Sequence, residues 1–290
     1  MKFCAIIVTR GRPHQAVGVI EAIKLMSSGE HEVEFIVACD DDDPADTAEE
    51  MKVYGYRCWK AGRPFYGNQL RIDCQPRPAG VAACWNRCAG LTDADVILTL
   101  PDDCVISTPY WDQGAAHIFK NHKWVHPALA MGALQDTANP GQATLFILGK
   151  EWIKLCGVFD DRFPFWWSDT AIAELYSFIT GSMLPLFPIT FASKGGVFNP
   201  RLRDMAFWWR FYGATRHDRL ALASQVRQKL GLPVPSSLAA LIAMWEKRDA
   251  EGLPASEEIV RQIPNPKPPD ERYMAAKAAA EAYLREATNG

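Results

Sequence analysis

Val96-Ile97-Leu98-Thr99-Leu100-Pro101-Asp102-Asp103-Cys104 is a short apolar run that stops on two acids. Its aliphatic content and its length before Pro101 predict a buried strand over 96–100. Two earlier runs share the pattern. Residues 3–8 end in Thr9-Arg10-Gly11-Arg12-Pro13, and residues 33–39 end in Asp40-Asp41-Asp42-Asp43-Pro44. Between and after them lie segments of helical character at 14–28, 45–54, 80–90 and 108–120. In the first, Val17, Ile20, Ile23 and Leu25 mark one face and Gly29 marks the stop. Strand, helix, strand alternation of this kind predicts an α/β fold around a mostly parallel sheet.

Further along, residues 55–78 are rich in Gly, Pro and Arg and are expected to be irregular or edge structure. Strands are expected at 123–131 and 143–148, and helices at 149–155 and 170–180. From about 218 the text becomes Ala/Leu-rich, with Leu220, Leu222, Val226 and Leu230 at near-helical spacing, interrupted by Pro233, Pro235 and the prolines of 264–269. The expected division is therefore 1–217 and 218–290, the second part a helical extension.

The chain has 290 residues, 48% of them hydrophobic, enough for a large buried core. Its 31 basic and 34 acidic residues leave a net charge of -3, so no basic surplus exists to hold a nucleic-acid backbone. The eight cysteines sit singly, and several fall inside apolar runs, which suggests reduced core residues. Cys84 and Cys88 share a helical face, but no second Cys/His pair completes a zinc site. The first apolar run is too short for a signal-peptide core, and no run approaches the length of a membrane span. A cytoplasmic location follows as the expectation.

In an open parallel sheet, ligands bind outside the carboxyl ends of the strands. The acids at 40–43 and 102–103 each follow an expected strand, so both clusters can face one crevice. Gathered carboxylates repel unless cations offset them, and a divalent cation carrying a diphosphate is one solution. An acidic turn in solvent is the other reading of 40–43.

Five fragments, in order, resemble the family 2 and related GT-A glycosyltransferases over roughly residues 1–215. They are the strand exit 9–13, the strand exit 35–44, the helix 80–90 with Asn86, the strand and acids 94–104, and the turn Gly157-Val158-Phe159-Asp160-Asp161-Arg162-Phe163 followed by Trp166-Trp167-Ser168-Asp169. The resemblance implies a GT-A fold: a Rossmann-like, mixed but mostly parallel sheet with flanking helices and a C-terminal helical extension. It also implies transfer of a sugar from a nucleotide-diphosphate sugar, UDP-sugars favoured, to an acceptor hydroxyl with Mn²⁺ or Mg²⁺. The implied roles are a metal ligand at Asp103, ribose contact or a share in the ion at Asp102, nucleoside contacts at Asp40 and Asp42, and base or phosphate contacts at Thr9 and Arg10. Asn86 stands at the family's usual asparagine in the donor site. Asp169 is implied as catalytic base, and His217, the only histidine after position 126, as a late metal ligand or a surface residue at a helix start. Pro101 and Ser168 stand where many relatives carry acids, and they favour an alternative: a catalytically silent GT-A module that binds a glycan or a partner. Phe163, Phe165, Trp166 and Trp167 read equally as core and as an acceptor platform. Arg201, Arg203 and Asp204 are candidates for a diphosphate contact or a surface ion pair.

A dinucleotide enzyme would carry Gly-x-Gly-x-x-Gly after the first strand, and a nucleotidyltransferase a Gly-rich loop. The stretch 9–13 has one glycine, and Pro13 removes a backbone donor.

Overall fold

The structure is a computed structural model, and it describes residues 1–61, 70–78, 80–137, 143–164, 167–193, 204–251 and 271–289. The chain divides into two compact units. One comprises Met1–Pro78, Cys84–Val158 and Pro185–Gly195; the other comprises Ala79–Ala83, Phe159–Leu184 and Gly196–Gly290.

Among the described residues the first unit is built on eight strands: β1 (Lys2–Val8), β2 (Glu32–Asp40), β3 (Leu70–Gln75), β4 (Val96–Pro101), β5 (Cys104–Ile106), β6 (Met131–Asp136), β7 (Ala143–Gly149) and β8 (Leu186–Ser193). They form one sheet in the order β3-β2-β1-β4-β7-β6-β8-β5. The four strands β3, β2, β1 and β4 run parallel, β6 and β8 pair in parallel, and β7 and β5 run against their neighbours. This is the mixed, mostly parallel sheet expected. Both faces of β1 are covered: Phe3, Ala5 and Ile7 are buried, and so are Cys4 and Ile6 between them. A strand buried on both sides reads as a continuous apolar run, which is why 3–8 shows no alternation.

Helix α1 (Pro13–Met26) starts on Pro13, whose fixed φ and missing N–H suit the first helical position. Its inward stripe is Ala16, Val19, Ile20 and Ile23, and Leu25 is 78% exposed. The expected face through Leu25 is thus corrected: the spacing i, i+3, i+4, i+7 selects the set that begins at Ala16. The core on this side of the sheet joins Phe3, Ile20, Ile23, Phe35, Val37, Leu98, Leu100 and Trp111. Trp111, in α4 (Trp111–Asn121), donates its indole N–H to the Ile23 carbonyl at 3.1 Å, so its one polar atom is satisfied inside the core.

Two expectations change in part. Helix α2 (Thr47–Lys60) runs past 54 into the stretch expected to be irregular or edge structure, whereas β3 within that stretch is the edge strand of the sheet, parallel to β2. The strand expected at 123–131 is a turn: Pro127–Leu129 forms one 3₁₀ turn, and the His126 ring accepts the Ala128 N–H at 3.1 Å. Pro127 cannot donate to a ladder, and strand pairing begins only at Met131. The helices expected at 80–90, 149–155 and 170–180 are α3 (Val81–Ala89), α5 (Lys150–Cys156) and α6 (Ser168–Thr180).

In the second unit α6 is joined by α7 (Met205–Ala214), α8 (Arg216–Leu230), α9 (Leu238–Glu251) and α10 (Glu271–Asn289). Phe163, Trp208, Phe211, Tyr212 and Tyr273 form its aromatic core, so Phe163 is a core residue. Phe165, Trp166, Arg201 and Arg203 lie outside the described residues. Asp204 accepts from the Tyr273 hydroxyl at 2.7 Å and from Lys277 at 3.0 Å. On α8 the buried residues are Arg219, Ala223, Val226 and Arg227, not the leucines at 220, 222 and 230. The inward face is partly cationic because α6 carries Glu174, fully buried, whose carboxylate takes Arg216 at 2.5 Å and also Arg219. Arg216 reaches Asp249 as well.

Candidate active site

β2, β1 and β4 are neighbours and parallel, so their carboxyl ends open on the same edge of the sheet. Each end delivers charge. After β1 come Thr9, Arg10 and Arg12; after β2 come Asp40 to Asp43; after β4 come Asp102 and Asp103.

Asp102 is 1% exposed. Thr9 Oγ1 donates to its Oδ2 at 2.5 Å, and Arg12 Nη2 lies 2.6 Å from its Oδ1 as an ion pair. Burial pushes the Asp102 carboxyl up to about 6, while the Thr9 hydrogen bond and the Arg12 charge pull the other way and neighbouring Asp103 adds to the rise. Asp103 is half-buried, and its carboxylate accepts from the Cys104 thiol at 3.6 Å.

Arg10 binds both acids of the second exit, through Nη1 to Asp40 Oδ2 at 2.6 Å and to Asp42 Oδ1 at 2.6 Å. The hydrogen bond to Asp42 leads in holding the Arg10 guanidinium charged, and Asp40 adds to it. Arg77 also stands 4.0 Å from Asp40. Asp43 instead serves the backbone, accepting from the Gly11 N–H at 2.9 Å, the Ala45 N–H at 2.9 Å and the Thr47 hydroxyl at 2.8 Å. Gly11 sits at φ +68, a left-handed conformation that glycine adopts without strain, and this turns its N–H toward Asp43. Of the four consecutive acids, one therefore ties the two exits together and two hold Arg10.

Asn86 lies elsewhere in this unit. With Ala89, Thr92, Lys150 and Gly157 it lines a cavity of about 360 Å³ that also touches Ala94 and Ile97, at the amino end of β4. The strand's length separates that end from Asp102.

The chain is similar in fold to several solved structures. A mannosyltransferase from Pyrobaculum calidifontis, solved with GDP-Man and Mn²⁺, matches with a TM-score of 0.55 at 12% identity over 99% of this chain and 85% of its own. TarS 1–349 from S. aureus, solved with UDP-GlcNAc, matches with 0.56 at 12% identity over 99% and 81%. Glucosyl-3-phosphoglycerate synthase from Mycobacterium tuberculosis, solved with Mn²⁺, UDP and glucosyl-3-phosphoglycerate, matches with 0.51 at 12% over 80% and 81%.

The fold is GT-A.

No protein-family model matches the sequence, and no curated protein matches it. The GT-A assignment thus rests on three-dimensional likeness, and it agrees with the fold that the five sequence fragments imply.

The remaining expected site residues of the GT-A reading belong to the second unit. Asp169 lies in the first turn of α6, where its Oδ1 accepts the Thr170 N–H at 2.7 Å. Burial raises its pKa, against the Thr170 hydrogen bonds and the charge of Arg248. Trp167, just before it, has φ 74 and stacks edge-on against Trp209 at 4.1 Å. His217 has both ring nitrogens engaged: Nδ1 is 2.8 Å from the Ala214 carbonyl, and Nε2 is 3.1 Å from both the Tyr283 hydroxyl and Asp218. Among the described residues no group of three or more His, Cys, Asp or Glu is arranged to hold a metal ion.

Sequence reasoning assigned no role to Arg12, whose pairing with Asp102 is a central contact of the cleft. The available signal was a second arginine beside Arg10 in a strand exit. Asp73, buried in β3 and paired with Arg87 of α3 at 2.6 Å, had no local signal.

Proposed function

We propose that this chain is a glycosyltransferase that takes a sugar from a nucleotide-diphosphate sugar, preferentially a UDP-sugar, and passes it to an acceptor hydroxyl with the help of Mn²⁺ or Mg²⁺. One observation carries the reading: in a GT-A fold, Thr9, Arg10, Arg12, Asp40, Asp42 and Asp102 converge at the carboxyl ends of three adjacent parallel strands. Nucleotide ligands bind at that edge of open α/β sheets.

Asp40 and Asp42 are the candidates for base or ribose, since their charge would repel phosphate. Arg10 orients them and Arg12 orients Asp102, which takes the ribose side. Asp103 is the proposed metal ligand. A single carboxylate completed by diphosphate oxygens and water is a common arrangement for Mg²⁺, so Asp103 fits a cation that arrives with the donor. When bound, the cation would neutralise charge on the departing diphosphate. His217 can join only by giving up a contact it already makes, to the Ala214 carbonyl at Nδ1 or to Tyr283 and Asp218 at Nε2. Asp169 is the proposed base for the acceptor hydroxyl; it needs the ionised form, and its burial supplies the raised basicity that such a role uses.

The eight free cysteines support a cytoplasmic location. Among the described residues no helix is long and apolar enough to cross a membrane.

A second reading, the catalytically silent module, draws on the arginines that already neutralise Asp40, Asp42 and Asp102. Hydrolysis and transfer assays with a panel of nucleotide sugars and Mn²⁺ separate the two. Turnover of one donor supports the enzyme, whereas nucleotide binding without turnover on any donor supports the silent module.

A further inference from the structure

Cys39 and Cys74 are direct partners across the parallel β2–β3 pair. Aligned residues on neighbouring strands stand about 4.8 Å apart, inside the roughly 4.4–6.8 Å of Cα separation that a disulfide spans. Their side chains leave the same face of the sheet, because Cys39 alternates in step with Phe35 and Val37, and Cys74 with Leu70 and Ile72, all of which pack into one core cluster. Cys74 is also among the groups that raise the Cys39 pKa, in keeping with two side chains that share this face of the sheet. Cys39 is buried, whereas Cys74 is exposed on β3, the terminal strand of the sheet.

We propose that Cys39 and Cys74 are an oxidative modification site, a thiol pair that closes to a cross-strand disulfide in the presence of a disulfide oxidant of the glutathione class. Cys74, the accessible partner, loses its proton and attacks one sulfur of glutathione disulfide. The S–S bond breaks, one glutathione thiolate leaves and is protonated, and a mixed disulfide remains on Cys74. Cys39 then loses its proton and attacks the Cys74 sulfur, forming the protein disulfide and expelling the second glutathione as its thiol. Two protein thiols are oxidised and one glutathione disulfide is reduced to two thiols. Burial pushes the Cys39 thiol up to about 12, with Cys74, Asp43 and Asp40 adding in the same direction, so the second step is the slow one at neutral pH. The bridge lies directly beneath the cleft: Cys39 precedes Asp40, and the Asp41 N–H already binds the Gln75 carbonyl at 3.0 Å. This site stands independently of the proposed glycosyl transfer.

The test is cysteine mapping of the full chain after incubation with glutathione disulfide and blocking of remaining thiols. Peptides containing Cys39 and Cys74 are expected joined; before blocking, the intact protein is expected lighter by two hydrogens, a change that dithiothreitol reverses. In Cys39→Ser, glutathione should stay on Cys74. Wild-type protein that keeps glutathione on Cys74 beside a free Cys39, that leaves both thiols free, or that joins either cysteine to a different partner overturns the proposal. The wild-type map decides the matter even where a serine variant folds poorly.

Discussion

Thr9 Oγ1 donates to Asp102 Oδ2 at 2.5 Å across the exits of β1 and β4, so the hydroxyl of one loop fixes the only nearly fully buried carboxylate among the acids at these strand exits. Replacement Thr9→Val keeps the shape and removes the donor. An unsatisfied buried acceptor costs roughly 1–3 kcal/mol, and the lost hydrogen bond, which lowers the Asp102 pKa, lets it rise further. Urea unfolding at neutral pH should show the loss, and a shift of the Asp102 titration upward should accompany it.

Asp102 also makes stability depend on pH. Its folded pKa of about 6 lies above the ordinary value, so between the two the folded state holds a proton that the unfolded state has released. Stability from this group is therefore greatest below the unfolded pKa and declines as pH rises to about 6, by up to about 3 kcal/mol at roughly 1.4 kcal/mol per unit. The difference in unfolding free energy between wild type and Asp102→Asn, followed across that window, should contain this slope and flatten above it.

Asp103→Ala should leave the unfolding midpoint near that of the wild type while removing the Mn²⁺-dependent part of nucleotide-diphosphate affinity. Calorimetric titration of UDP with and without Mn²⁺ measures it. Equal metal dependence in both proteins would take the metal role away from Asp103.

Asp169→Asn should bind donor normally yet transfer about 10²- to 10⁴-fold more slowly, the usual scale for a general base. Because burial raises the Asp169 pKa, wild-type transfer should fall with decreasing pH along a limb centred above the ordinary carboxylate value, and the variant should lack that limb. Undiminished transfer would send the role to Asp160, Asp161 or a mechanism without such a base.

Glu174→Gln probes the second unit. Glu174 is fully shielded from solvent and faces Arg216 and Arg219, and removal of its charge takes this carboxylate from Arg219 and leaves Arg216 with Asp249. Breaking a buried pair in this way costs about 3–5 kcal/mol. The measurement is the unfolding midpoint in urea, where a variant as stable as wild type would show that the network adds nothing.

What the sequence by itself determined follows from local rules. Continuous apolar runs such as 3–8 and 96–100 specify strands buried on both faces, and the helical segments between them require the chain to cross back in parallel. The acids at 40–43 and 102–103, each placed after a strand, fixed the edge of the sheet where the candidate cleft lies. The tertiary structure decided the pairings. Nothing local distinguishes Asp43, which knits Gly11 to Thr47, from Asp40 and Asp42, which hold Arg10; only the adjacency of β1 and β2 assigns them. Likewise Arg12 finds Asp102 across about ninety residues because β1 and β4 are neighbours. On α8 the spacing of leucines suggested an apolar inner face, whereas the buried charge of Glu174 draws Arg219 inward. Periodicity reports how a segment meets an average apolar environment, and a buried carboxylate from a distant helix replaces that average with a specific electrostatic demand that no window of sequence contains.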